Sequence, residues 1–231
     1  MRSLRLSSLA AVLVLTAVPV AVAVAPAQAV EGASLGSFTN RTTTDGLPSN
    51  SIMNVFVDGT TVYAATQMSG LAISTDGGAT FTARTTSNGL GMDTVRAVYA
   101  DGSTVYVATQ YGLAVSTDGG DTFTNKLSTD GLGGNDVYDV MAVGTTVYAA
   151  IDGGVSISTD GGTTWTNKNK NSNGLADNSV KAVFVDGTTI YAATDGGLSI
   201  STDGGTTWTN KTEADGLGKT RLNDVYAVGS T

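Results

Sequence analysis

A block of about 42 residues recurs four times in this chain, and each copy carries the phrase Ser-Thr-Asp-Gly-Gly. The phrase begins at Ser74, Ser116, Ser158 and Ser201, so successive copies are 42, 42 and 43 residues apart. A repeat of this length is typical of architectures in which each unit buries its core only by packing on its neighbours. The repeat therefore says much about the fold and little about the function.

Four short strand-like runs can be aligned within each repeat. In the first repeat, run a is Val55–Gly59, run b is Thr61–Thr66, run c is Leu71–Ser74 and run d is Thr80–Arg84. Alternating β-branched and aromatic residues that end in turn-forming pairs such as Asp-Gly predict hairpins. Four strands in 42 residues are typical of one blade of a β-propeller, and a solenoid is the alternative. We predict an all-β propeller with repeats at residues 45–87, 88–129, 130–172 and 173–214 and a partial repeat at 215–231.

The first 29 residues have the composition of a secretory signal peptide. Arg2 and Arg5 precede an apolar run from Leu9 to Ala25, and Ala27-Gln28-Ala29 matches a small-residue cleavage site. We therefore expect a secreted propeller domain at residues 30–231, either extracellular or periplasmic, and an uncleaved membrane anchor is the alternative. No later apolar run is long enough to cross a membrane, so we expect no membrane span after signal removal.

The expected mature chain is acidic and lacks two reactive residue types. Without Arg2 and Arg5 it has 10 basic and 20 acidic side chains, a net charge of −10, and the sequence contains no Cys and no His. Nucleic-acid binding requires clustered Lys and Arg, so we do not expect it. The commonest general base, metal ligand and thiol nucleophile are absent, and we expect no metal site and no cofactor.

The repeated phrase extends into a longer motif. Ser158–Trp165 and Ser201–Trp208 follow the pattern Ser-x-Asp-x-Gly-x-Thr-Trp, and Ser74–Phe81 and Ser116–Phe123 follow it with Phe in the last position. The chain thus resembles Asp-box propellers, also called bacterial neuraminidase repeats, which include sialidases and sortilin-type receptors. Asp45–Asn50 is also similar to a turn of two-component-regulator sensor propellers. The resemblance implies a β-propeller fold and says almost nothing about function.

In that family the motif joins strands c and d, which implies a structural role. An Asp in a tight hairpin accepts hydrogen bonds from backbone N–H groups, Gly adopts positive φ, and the aromatic ring covers the apolar side. Calcium binding is the alternative, but each turn offers one carboxylate where calcium takes about six to eight oxygens. The residues assigned this structural role are Ser74, Asp76, Gly78, Phe81, Ser116, Asp118, Gly120, Phe123, Ser158, Asp160, Gly162, Trp165, Ser201, Asp203, Gly205 and Trp208.

A sialidase-like active site needs an arginine triad, a Tyr–Glu pair and an acid–base Asp. The expected mature chain has only Glu31 and Glu213, and neither lies in a repeated strand. We therefore expect no catalytic residues, while a hydrolase that uses two Asp residues is an alternative. A remnant of a sialidase-like glycoside hydrolase and an extracellular sensor propeller are the alternative functions.

The sequence favours a secreted binding module for an extracellular protein or a carbohydrate. In a propeller blade the b–c turns and the d–a loops emerge on one face, and here the d–a loops vary between repeats. Loops on a rigid scaffold commonly carry binding sites. Tyr111 departs from the repeat at a b–c turn and is the first candidate for a ligand contact. The candidate ligand-binding residues are Gln67, Met68, Gln110, Tyr111, Asp152 and Asp195.

The repeats do not complete a fifth blade. Phe38–Arg41 aligns with run d and Val225–Val228 aligns with run a, so runs b and c of a fifth repeat are missing. A truncated gene product, an incomplete ring of five positions and completion by a second chain are three open explanations. Because unpaired strand edges recruit other strands, we expect an open ring to self-associate through these terminal strands.

Overall fold

The structure is a computed structural model, and it describes residues 39–227. The chain divides into two units, Met1–Asn40 and Arg41–Thr231. Of the first unit only Thr39 and Asn40 are described, and both are exposed and outside regular secondary structure. The predicted signal peptide at residues 1–29 and the expected strand residue Phe38 lie outside the described residues.

Every described strand belongs to one of four antiparallel four-stranded sheets, one for each sequence repeat. The strands are β1 (Ile52–Asp58), β2 (Thr61–Thr66), β3 (Leu71–Ser74), β4 (Thr82–Arg84), β5 (Val95–Asp101), β6 (Thr104–Thr109), β7 (Gly112–Ser116), β8 (Thr124–Lys126), β9 (Val137–Val143), β10 (Thr146–Ile151), β11 (Gly154–Ser158), β12 (Thr166–Lys168), β13 (Val180–Asp186), β14 (Thr189–Thr194), β15 (Gly197–Ser201) and β16 (Thr209–Lys211). Each sheet pairs its strands in chain order, which is the arrangement of a propeller blade. The predicted all-β propeller is confirmed.

The loops that enter the blades contain single helical turns, which the sequence analysis did not predict. Each turn ends in a Gly with positive φ, which suits a left-handed cap. The turns are the 3-10 helices Thr43–Asp45, Thr86–Asn88, Ser128–Asp130 and Glu213–Asp215, and the short helix α1 (Lys170–Asn173).

Several predicted strand boundaries were wrong. Run a was expected at Val55–Gly59, but β1 spans Ile52–Asp58. Run d was expected to begin at Thr80, but β4 begins at Thr82, because the backbone N–H and the hydroxyl of Thr80 donate to Asp76 at 2.9 and 2.6 Å. A fifth strand was expected to include Val225, but residues 221–227 form no strand. Among residues 39–227 no strand pairs with this segment, and a strand needs such a partner.

Neighbouring blades pack through their first strands, so that β5 packs on β1, β9 on β5 and β13 on β9. At the first of these interfaces Tyr63 and Leu71 meet Val98 and Val105, and all four side chains are buried. Within residues 39–227 no comparable packing joins β13 to β1. The four blades therefore form an open arc in which three interfaces are complete.

The repeated Ser-Thr-Asp-Gly-Gly turn is held by the same hydrogen bonds in all four blades. In the third blade, Asp160 accepts bonds from the hydroxyl and backbone N–H of Thr164 at 2.6 and 2.8 Å and from the Ser158 hydroxyl at 2.7 Å. These donors hold the pKa of the Asp160 carboxyl well below its usual value. In the fourth blade the same contacts lower the pKa of Asp203 to about 2.

The aromatic residue of the turn contributes to the blade interfaces, and Trp208 provides the test. Trp208 is buried in the cluster that joins the third and fourth blades. Trp208→Ala should lower the free energy of unfolding by about 3–5 kcal/mol, because it leaves a large cavity. Urea unfolding measures this loss.

The matched control is Trp208→Phe, because Phe123 fills the equivalent buried position in the second blade. This variant should keep most of the stability. A loss below about 1 kcal/mol for Trp208→Ala would show that the ring contributes little packing energy.

Candidate functional site

The turns between the second and third strands of each blade are joined to the loops that enter the next blade. The Gly70 N–H donates to the Asp93 carbonyl at 2.7 Å, and the Gly112 N–H donates to the Asn135 carbonyl at 2.7 Å. A similar bond at 3.0 Å links the third blade to the fourth. These turns and loops therefore form one continuous surface, which we call the loop face.

The four predicted site residues that follow the second strands occupy equivalent positions on this face. They are Gln67, Gln110, Asp152 and Asp195. The backbone N–H of Gln67 donates to the Ser51 carbonyl at 3.0 Å, and the Ser51 hydroxyl donates to its side chain at 3.1 Å. Asp195 forms an ion pair with Arg221 at 3.1 Å. The structure thus anchors these residues beside the starts of the first strands.

Met68 and Tyr111, the two other predicted site residues, project from the same turns. Met68 has φ of 64° and a side chain that is 76% exposed. Tyr111 is 52% exposed, yet its backbone is fixed, because its N–H donates to the Thr109 hydroxyl at 3.0 Å and its carbonyl accepts a bond from Asn125 at 2.6 Å. Tyr111 therefore presents an aromatic ring from a rigid support.

Three residues that sequence reasoning missed lie at the same end of the blades. Arg96, Tyr138 and Lys181 occupy one repeat position near the start of the first strands β5, β9 and β13. The Arg96 guanidinium carbon lies 4.2 Å and the Lys181 Nζ 3.8 Å from the centre of the Tyr138 ring. Both distances are within the range of cation–π attraction. This position holds Met, Arg, Tyr and Lys in the four repeats, and that departure from the repeat was the available signal.

The two cations of this cluster have different environments. Arg96 forms an ion pair with Asp136 at 2.7 Å. Lys181 makes no ion pair with any carboxylate in residues 39–227. Lys181 therefore carries a positive charge that no described carboxylate neutralises, in a protein that is acidic overall.

Asp139, the residue after Tyr138, has a carboxyl pKa that differs from its ordinary value. Burial raises the pKa of its carboxyl to about 6, and the nearby Asp224 adds to the rise. Its Oδ1 accepts from the Val140 N–H at 2.9 Å, and its Oδ2 accepts from the Val183 N–H of the next blade at 3.0 Å. A raised pKa can mark a catalytic acid, but both oxygens of this carboxyl are engaged by backbone donors. Asp139 therefore serves as a link between the third and fourth blades.

The carboxylates of the repeated turns lie at the opposite end of the blades. The Gly77 N–H, within the first of these turns, donates to the Thr60 carbonyl in the β1–β2 turn at 3.0 Å. A shallow cavity of about 230 Å³, lined by Tyr106, Val115 and Gly161, also lies towards this end. In the part of the chain that the structure describes, no group of three or more Asp or Glu side chains could hold a metal ion.

A family model described as the DUF6242 beta propeller domain matches residues 92–217, which is more than half of the chain. Among solved structures, an ancestral GH74 enzyme shares 24% identity at a TM-score of 0.60 over 70% of this chain and 24% of that one. The extracellular domain of a one-component system from B. thetaiotaomicron shares 18% identity at a TM-score of 0.62 over 77% and 25% of the two chains. YCF48 bound to D1 peptide shares 18% identity at a TM-score of 0.55 over 71% and 56%.

The chain spans about a quarter of the first two of these proteins and about half of the third. At these identities the similarities show the propeller fold alone. No curated protein sequence matches the chain. None of the helices between residues 39 and 227 has the length and apolar character needed to cross a membrane.

The environment of Asp139 makes stability depend on pH. Its folded-state pKa of about 6 exceeds the ordinary value of 3.8, so its contribution is fully present below about pH 4 and is lost as the pH rises through 6. Asp139→Asn keeps one oxygen acceptor, which can serve the Val183 N–H, loses the acceptor for the Val140 N–H, and removes the buried charge. This variant should exceed the wild type by about 1–3 kcal/mol at pH 8 and lose that advantage near pH 4.

Urea unfolding at the two pH values measures the difference. The precedent for the substitution is Asn54, whose Oδ1 accepts from the Val98 N–H at 3.4 Å in the first blade. Asp139→Ala is the control, because it removes the acceptor and should destabilise the protein at both pH values. An unchanged pH profile in Asp139→Asn would contradict the assignment.

Proposed function

This chain belongs to the DUF6242 beta propeller family, and from that premise we propose that it is a binding module whose loop face holds an extracellular protein or a carbohydrate. The observation that carries the proposal is the occurrence of the exposed Tyr111 ring and the Arg96–Tyr138–Lys181 cluster at the same end of the blades. Aromatic rings offer flat apolar area to a sugar or a peptide, and cations bind carboxylates and hydroxyls.

The support for binding instead of catalysis comes from the carboxylates of the loop face. Asp136 is paired with Arg96, and Asp195 is paired with Arg221. Both carboxylates are therefore engaged by a cation, whereas a glycosidase needs a carboxyl that is free to donate a proton. Asp139 has a raised pKa, but both of its carboxyl oxygens accept hydrogen bonds from backbone N–H groups. We therefore propose that the module has no hydrolytic activity.

We further propose that the repeated turn is an Asp-box and that the protein acts outside the cell. The identical hydrogen bonds of the four turns support the first point, and the signal-like sequence of residues 1–29 supports the second. A sensor propeller is the second candidate function, favoured by the likeness to extracellular domains of one-component and two-component systems. In that role, the binding of a ligand at the loop face would be transmitted to a signalling partner.

The binding proposal is tested with arrays of neutral, sialylated and uronate-bearing glycans and with cross-linking to extracellular proteins. Tyr111→Ala and Lys181→Ala should each weaken the strongest interaction at least about 10-fold, corresponding to about 1.4 kcal/mol of binding energy. Both side chains lie outside the buried core, so thermal unfolding should change little.

The matched control is Lys168→Ala, which makes the same change on the outer strand β12. This variant should bind as the wild type does. A ligand that binds equally well to Tyr111→Ala, Lys181→Ala and Lys168→Ala would show that the loop face is not the binding surface.

The absence of hydrolysis is a separate prediction. Sialyl and other aryl glycosides should be turned over only at background rates, because neither a free acid–base pair nor a His base is available. Release of the aryl group measures the rate. Turnover that disappears in Asp152→Asn, a change of an exposed carboxylate on the loop face, would establish an enzyme instead.

A further inference from the structure

One face of the first blade lacks the cover that the equivalent face has in every other blade. Val57 is 53% exposed, and Val55 beside it on β1 is 37% exposed. The residues equivalent to Val55 are between 3% and 4% exposed, and those equivalent to Val57 are between 3% and 5% exposed. These equivalents are Val98, Val140 and Val183 for Val55, and Ala100, Ala142 and Val185 for Val57.

In the second and fourth blades this face receives a hydrogen bond as well as apolar contact. The Val98 N–H donates to Asn54 of the preceding blade at 3.4 Å, and the Val183 N–H donates to Asp139 of the preceding blade at 3.0 Å. The corresponding N–H of Val55 has no side-chain acceptor among residues 39–227. The uncovered face of the first blade therefore offers both apolar surface and a backbone donor.

The other end of the arc presents a surface of the matching kind. Residues 221–227 lie along the fourth blade, where the Leu222 N–H donates to the Thr194 carbonyl at 3.0 Å and the Tyr226 ring lies 4.8 Å from the Phe184 ring. The Phe56 and Tyr99 rings make the same contact between the first two blades at 4.9 Å. This segment therefore occupies the position of the first strand of a following blade.

Asp224 in this segment repeats half of the hydrogen-bonding pattern of Asp139. Its Oδ1 accepts from the Val225 N–H at 2.8 Å, as the Oδ1 of Asp139 accepts from Val140 at 2.9 Å. The Oδ2 of Asp139 bonds to the next blade, whereas the Oδ2 of Asp224 has no partner within residues 39–227. Tyr226, two residues further along the chain, is 75% exposed. An unpaired acceptor and an exposed aromatic ring thus lie at this end.

We propose that a second copy of this chain docks head to tail on the uncovered face of the first blade. The segment 221–227 of one copy packs on β1 of the other, as β9 packs on β13 within the chain. The Asp224 carboxylate of the first copy accepts the Val55 N–H of the second, and Tyr226 covers Phe56 and Val57. This contact joins two different surfaces of the chain. An open assembly therefore has one free surface at each end until a ring closes.

The proposed contact is mainly apolar and joins two acidic molecules. These two properties determine how association depends on the salt concentration. Each chain carries a formal net charge of −8, and the repulsion between copies falls as salt screens it. Association should therefore strengthen as the salt concentration rises. Association held together by ion pairs would weaken under the same change.

The experiment measures the mass of the purified full chain by light scattering from about 1 to 200 µM. The mass should exceed that of the 23.3 kDa monomer and should rise with concentration. Val57→Lys should raise the dissociation constant at least about 10-fold, since it puts a charge into the apolar contact. Val143→Lys is the matched control, because it makes the same change at a valine that is 47% exposed but lies at the end of β9 in the third blade; it should associate as the wild type does.

A second pair of variants tests the hydrogen bond. Asp224→Ala should weaken association by about 3-fold to 10-fold, whereas Asp224→Asn should retain it, since Asn54 supplies the same acceptor within the chain. Thermal unfolding of every variant checks that the fold is kept. A monomer at all concentrations, as results if residues 1–38 or another protein cover the face, would overturn the proposal. So would association that Val57→Lys leaves unchanged.

Discussion

Each blade of this protein is a thin sheet with two apolar faces, and neither face is buried until another blade packs against it. The first strand of each blade carries most of this contact, and its apolar residues meet the preceding blade on one side and the following blade on the other. The free energy gained by removing these faces from water is what stabilises the arc. The loop face and the exposed end of the first blade both follow from this arrangement.

The same packing explains why Asp139 and Asn54 make the same kind of contact but differ in the free energy that their burial costs. Both side chains reach across an interface to a backbone N–H of the next blade. Burial makes the ionised form of Asp139 unfavourable and raises its pKa to about 6, whereas an amide has no charge to desolvate. A titration that resembles that of a catalytic acid is here the consequence of a structural contact.

Much of the fold could be predicted because the strands and turns of each repeat form through contacts within that repeat. The second strand of the first blade matches the predicted Thr61–Thr66 run, and the Asp of each repeated turn accepts bonds only from residues within four positions along the chain. Tyr111 of the candidate site could be recognised from the repeat alone, because it interrupts a turn. Arg96 and Lys181 also depart from the repeat, but their contact with Tyr138 could not be predicted, because Tyr138 lies in a different blade from each of them.

By itself the sequence determined the blade, since its period, its strand alternation and its turn residues act over distances of a few residues along the chain. Only the tertiary structure decided which residues 40 or more positions apart meet, because the approach of one rigid sheet to the next sets those contacts. The Val183 N–H donates to Asp139, which lies 44 positions earlier in the chain. Val57 is exposed, whereas Ala100 at the equivalent position of the second blade is buried. The two valines of the uncovered face read in the sequence like any other strand residues, and only their place at the end of the arc makes them different.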